Sequence, residues 1–210
     1  MDLKLFTDML NIDSTSSKEM EFAHFMERKM ASCKCSVKKY DVGDGTVNLL
    51  FSWGIPEIIF CTHLDTVPPY IPPSAEPTED GDILIKGRGS CDAKGQIFAM
   101  YNACLELEKE GNTGFGLLLL SGEETGSFGA KHFSKSHPGS KYVIVGEPTD
   151  NRMTSASKGT KAFEVTIKGK SCHSGYPQFG ESAVIKFVEF VNRLNETDFA
   201  DDPTLGKTTW

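Results

Sequence analysis

No stretch of this 210-residue chain stays apolar long enough to suggest a membrane span, since a spanning helix needs about 20 consecutive apolar residues. Its opening, MDLKLFTDMLNIDST, sets acids into an apolar pattern and lacks the basic start and unbroken apolar centre of a secretory leader. A cytoplasmic protein is the expectation. Excess positive charge is missing too. The 22 Lys and Arg are interspersed with 29 Asp and Glu, for a net charge of -7, so nothing suggests a nucleic-acid partner, and no membrane partner is expected. The six cysteines (Cys33, Cys35, Cys61, Cys91, Cys104 and Cys172) contain no C-x-x-C pair. Cys33 and Cys35 alternate as on a strand, and no second Cys/His pair accompanies them, so all six read as free thiols of a reducing compartment. Repeats and low-complexity segments are also lacking. With 39% hydrophobic and 24% charged residues, the chain has an ordinary globular composition.

What is present is an alternation of helical and strand patterns. Leu3, Phe6, Met9 and Leu10 form one helical stripe. A second helix is announced by Ser16-Ser17 followed by Glu19, with Met20, Phe22, Ala23, Phe25, Met26 and Met30 as its apolar positions. The runs CSVKKYDV, TVNLLFSW and EIIFCTHL read as strands, and PPYIPPSAEPTEDGD as an extended surface loop. A helix from Lys94 to Lys109, the strand GFGLLLLS, a helix over Phe128–Ser136 and the strand KYVIVG follow. Strand-helix alternation of this kind predicts an α/β fold, a doubly wound and mostly parallel sheet with helices on both faces. The character changes after Pro148. An alternating strand over Ala162–Ile167, a Gly-rich turn and a helix carrying Ala183 to Leu194 suggest a smaller α+β domain. The division is placed at residues 1–157 and 158–210. The last residues, LGKTTW, look like the start of another strand, so the chain is expected to be the amino-terminal portion of a longer protein.

Four polar clusters each follow an apolar run: His63-Leu64-Asp65, Cys91-Asp92, Glu123-Glu124 and Glu147. In a parallel sheet the carboxyl ends of the strands converge on one site. A set of carboxylates with one imidazole suits zinc, cobalt or manganese, and more acids than one metal needs suggest a pair of ions. His63 and Asp65, two apart on an extended segment, share a face, so His63 is read as a ligand and Asp65 as the carboxylate that orients its ring. Asp92 sits in GRGSCDAKG, where it either bridges two cations or caps the Lys94 helix. A phosphate cradle is disfavoured there because the Walker spacing and its Lys-Ser/Thr pair are missing. Of the adjacent Glu123 and Glu124, one can bind metal while the other stays free as a general base. Pro148 ends the strand that presents Glu147. His173, between Gly169 and Gly175, is placed to donate a hydrogen bond to a developing oxyanion.

In this order, THLDTVP, GRGSCDAKG, SGEETGSFGA, VGEPT and GKSCHSGYPQFGESA resemble the co-catalytic zinc amidohydrolases. That family includes acetylornithine deacetylase, which the chain is taken to resemble most, succinyl-diaminopimelate desuccinylase, aminoacylase-1 and the glutamate carboxypeptidases. The resemblance implies a zinc-exopeptidase-like catalytic domain followed by the beginning of a lid or dimerisation domain. It implies that His63 and Glu147 bind one zinc and Glu124 the other, with Asp92 bridging. Glu123 would be the general base, Asp65 would orient His63, and His173 would reach a partner's site in a homodimer formed through the lid. The implied substrate is an N-acyl amino acid, N-acetylornithine of arginine biosynthesis foremost. A desuccinylase of lysine biosynthesis and a dipeptidase or carboxypeptidase are the alternatives on the same scaffold, and a non-catalytic metal-binding module is the alternative of another class. Ala93 and Ser182 depart from the residues common in the family at their positions, and a last metal-binding histidine is expected beyond Trp210.

Overall fold

The computed structural model describes residues 2–43, 45–136 and 139–210. The chain forms two compact units, Met1–Asn151 and Arg152–Trp210. In the first unit, Leu3–Leu10 (α1) begins where the Asp2 carboxylate accepts a hydrogen bond from the Leu5 amide at 3.0 Å. It buries Leu5, Phe6, Met9 and Leu10, the spacing that places apolar groups on one helix face. Met20–Met30 (α2) buries Phe22, Ala23, Met26 and Met30 in the same way. Ser36–Gly43 (β1) and Thr46–Trp53 (β2) then pair antiparallel. Ile58–His63 (β3) is followed by Ser74–Pro77 (β4), Ile83–Lys86 (β5), Lys94–Lys109 (α3), Phe115–Leu120 (β6), Phe128–Ser136 (α4) and Tyr142–Val145 (β7).

Five of these strands make one sheet in the order β1-β2-β6-β3-β7. β3 runs parallel to both β6 and β7, while β2 is antiparallel to β6. Successive side chains of a strand point to opposite faces, and the two faces find different covers. Leu49, Phe51, Trp53, Leu117 and Leu119 pack into the large core with α1, α2 and α3. Leu50, Ile59, Cys61 and Leu118 face the other way with Tyr40, whose ring meets Phe133 of α4 edge-on at 5.1 Å. The architecture is therefore α/β with helices on both faces. His63 pairs with Leu120 and Cys61 with Val145, so β3, β6 and β7 release their following segments at the same end of the sheet.

Two departures from the sequence reading occur. The segment expected as an extended loop contains a strand, because β4 and β5 pair antiparallel about a turn in which the Thr78 amide donates to the Asp82 carbonyl at 2.9 Å and Gly81 takes φ +85°. The strand expected over 162–167 is not formed in the second unit. No described residue pairs with it, and without a partner its alternation has no surface to bury, leaving Phe163 and Val165 exposed. That unit holds Ala183–Glu196 (α5), capped by Ser182, whose hydroxyl accepts from the Ile185 amide at 3.3 Å. Asp201–Asp202 (β8) and Gly206–Lys207 (β9) close a short hairpin. Among the described residues no helix is long and apolar enough to cross a membrane.

Candidate metal centre

At the common end of β3, β6 and β7, one ligating atom each from His63, Asp92 and Glu124 lies within 4.8 Å of the other two. Each arrives by a different route. His63 is the last residue of β3, and the Leu64 amide continues the ladder by donating to the Leu120 carbonyl at 2.7 Å. Asp92 precedes α3, and its carboxylate is 3.0 Å from His63 Nε2. It does not cap that helix: Ala93 occupies the cap position with no side-chain hydrogen bond, which removes the capping alternative for Asp92. Glu124 lies in the turn between β6 and α4. Glu147 follows β7, where the Gly146 amide donates to the Cys61 carbonyl at 2.8 Å. It stands outside the tight triad, yet shares a cavity of about 230 Å³ with His63 and Glu123.

Asp65 is fully buried and organises the centre. The Nδ1 atom of His63 is 2.9 Å from the Asp65 main-chain oxygen and 3.4 Å from its carboxylate, leaving Nε2 to face Asp92. The same carboxylate accepts from the amides of Glu123 at 3.0 Å and Glu124 at 3.2 Å, and from the Ser16 hydroxyl at 3.0 Å. One side chain thus fixes both the imidazole and the turn that bears the two glutamates. Ser16 serves this contact and not the helix start expected of it; α2 has Glu19 at its cap position without a side-chain cap.

The electrostatics follow from five acids and one imidazole held together. Burial opposes a charge on His63, but the hydrogen bond and charge of Asp65 and the charges of Asp92 and Glu147 outweigh it and lift the imidazole to about 9. Glu124 and Glu147 are both pushed above the ordinary carboxylate range, by burial first and then by the surrounding carboxylates, with His63 opposing. Asp65 is held low despite its burial, through His63, the Glu123 amide and Ser16. Carboxylates that raise one another gain most from a cation in their midst. Zinc-to-oxygen and zinc-to-nitrogen bonds of about 2.0–2.2 Å place neighbouring ligand atoms a few ångströms apart, so the donor set and its spacing fit a divalent ion.

Around this centre are residues the sequence reading passed over. Asn48, buried on β2, accepts from the Ser121 amide at 3.0 Å and donates to the Gly129 carbonyl at 2.9 Å. Lys94 is buried too, its ammonium donating to the carbonyls of Met9 at 3.1 Å and Ile12 at 2.6 Å, above the Phe22 ring. Nothing in a single sequence marks a surface-type residue as interior; its partners are 82 to 85 positions away. His173 belongs to the second unit, exposed, with Nδ1 accepting from the Gly175 amide at 3.0 Å and its ring beside Tyr176.

Residues 59–203 match the model of peptidase family M20/M25/M40. The chain belongs to that family. As a family member it is 35% identical over 216 residues to a "Probable carboxypeptidase" of Aspergillus clavatus, an alignment covering 95% of this chain and 52% of that protein. A "Probable carboxypeptidase" of Aspergillus flavus is 39% identical over 174 residues, covering 73% and 42%. The chain thus spans about half the length of the curated M20 relatives it matches. Among solved structures, a tripeptidase from Staphylococcus aureus superposes with a TM-score of 0.69 at 19% identity, over 91% of this chain and 55% of that one. An aminopeptidase from Bacillus cereus gives 0.62 at 22% identity, over 90% and 55%. Both share the fold of this M20 chain.

Proposed function

We propose that this chain carries the metal-binding half of a metal-dependent exopeptidase that cleaves the amide bond of short peptides. The observation behind the reading is the convergence of His63, Asp92 and Glu124 beside a cavity reached by Glu123. The names of the curated relatives favour a peptide substrate and release of a carboxyl-terminal residue. The N-acyl amino acid expected from the sequence rests on motifs that deacylases and peptidases share, and becomes the second substrate to assay.

In this reading His63, Asp92, Glu124 and Glu147 would hold two divalent ions, zinc foremost. When bound, such ions polarise a carbonyl and make water nucleophilic near neutral pH. Glu123 is the base: it takes the proton from the attacking water and returns it to the departing amine, so that the leaving group departs neutral. Asp65 keeps the His63 tautomer that presents Nε2 to the ion. His173 supplies a hydrogen bond to the oxyanion from a lid that pairs with its copy in a homodimer, a reading supported by the exposed apolar residues Val184, Phe187 and Val188 on α5.

Assays of the zinc-loaded protein on dipeptides, tripeptides and N-acetylornithine test the substrate. Faster turnover of N-acetylornithine than of any peptide would overturn the peptidase reading. Glu123→Ala should lower kcat by about 100-fold or more while metal content per chain, read by atomic absorption, stays at the wild-type value.

A further inference from the structure

Glu19 is a buried carboxyl that the reaction above does not use. It is fully buried at the start of α2, and its Oε1 atom accepts a hydrogen bond of 3.3 Å from the Gly122 amide, 103 residues away. Its Oε2 atom has no hydrogen-bond partner among the described residues. The next two amides, of Glu123 and Glu124, donate to Asp65. Three successive N–H groups of one turn are therefore divided between two buried acids, one on the α2 approach and one after β3.

The turn has little other freedom. Gly122 sits at φ +65°, and a Cβ there would come within 1.7 Å of the Phe128 ring. The chain leading to Glu19 is also unusual in its backbone, with Ser17 at φ +77°, a conformation that non-glycine residues adopt at a cost and that surrounding structure must maintain. The Lys18 amide donates to the Thr15 carbonyl at 2.8 Å and the Ser16 amide to the Thr66 carbonyl at 3.0 Å, so this bend is tied to the segment that follows Asp65.

We propose that Glu19 is a positioning residue of the metal centre, holding the Gly122 amide so that the turn presents Glu124 to the ion and leaves Glu123 free beside it. The inference rests on the reading of His63, Asp92 and Glu124 as metal ligands. Burial and the negative charge of Asp65 raise Glu19 above the ordinary carboxylate range, against the pull of the nearby amides of Glu19 itself, Gly122 and Ser17. The Gly122 amide needs an acceptor at this depth and length, which glutamine also supplies and methionine does not.

Titration of the chain and its variants with Co²⁺, followed by the visible absorption of the bound ion, tests this. Glu19→Gln should keep the wild-type spectrum and an affinity within about threefold. Glu19→Met, of the same length but with no acceptor, should fold by circular dichroism, lose about 10-fold or more in affinity, and shift the cobalt band, the scale on which supporting groups affect metal sites. Wild-type affinity and spectrum in Glu19→Met would overturn the proposal, as would a Glu19→Gln variant as weak as Glu19→Met. Should Glu19→Met not fold, Glu19→Asp decides: its acceptor is withdrawn by one methylene, so weakened binding supports the role and unchanged binding refutes it. If the wild-type chain binds no Co²⁺ at all, the metal-site reading itself falls, and this inference with it.

Discussion

At the scale of single residues, the imidazole of His63 is a group whose charge state its neighbours control. Its folded value of about 9 lies above the ordinary 6.5, so the native, metal-free protein holds the proton more tightly than the unfolded chain. The stabilisation this gives is complete below about pH 6.5 and is lost as pH rises through about 9. A metal must displace that proton. At pH 7.5, uptake of Zn²⁺ should release about one proton from this group, and affinity should fall about tenfold per pH unit on acidification, as read with an indicator dye and a competing chelator. Uptake at pH 7.5 without proton release would contradict the assignment of His63. Asp65→Asn sets an amide group against at least one of the N–H donors of Glu123 and Glu124. A loss of about 10–100-fold in metal affinity is expected, measured by the same chelator competition.

At the scale of elements, the turn between β6 and α4 shows how little slack the site has. Its Gly122 is packed against Phe128, and Asn48 ties both ends of the turn to β2. Gly122→Ala should destabilise the protein by at least about 2 kcal/mol through overpacking and backbone strain, read from urea unfolding. The double variant with Phe128→Ala should recover part of that loss, since it removes the ring in the way. This turn also shows what a sequence discloses. The acids Glu123 and Glu124 stood out because they follow a continuous apolar strand, and the parallel-sheet rule brought them to His63, whereas Asp92 arrives at the start of α3 and follows no strand of that sheet. The supporting contacts were not legible, because hydrogen bonds across 58 to 103 positions leave no periodicity. Ser16 and Glu19 did leave a trace, as an apparent S-x-x-E helix start, but both side chains turn from the helix, to Asp65 and to the Gly122 amide. The strand expected over 162–167 failed for the opposite reason: alternation records a preference for pairing, and no described segment supplies the pair.

At the scale of the molecule, two buried bases pull stability in opposite directions with pH. Burial lowers Lys94 from 10.5 to about 8. Between those values the unfolded chain binds the proton and the native one does not, so stability rises with pH across that window, by up to about 3 kcal/mol from this group. The contribution of His63 falls over an overlapping range. Chemical unfolding of wild type and Lys94→Met from pH 7 to 10.5 separates them: the variant should lack the rise, and parallel curves would show that Lys94 keeps its ordinary affinity for protons.

The ammonium of Lys94 is solvated by the carbonyls of Met9 and Ile12, at the end of α1 and just beyond it. Translation begun at the internal Met20, or proteolytic removal of residues 1–12, would strand a cation in hydrocarbon two residues from Asp92. The first dozen amino acids are thus a built-in counterpart to the candidate metal centre, and any expression vector that drops them should yield a chain with a weakened grip on metal.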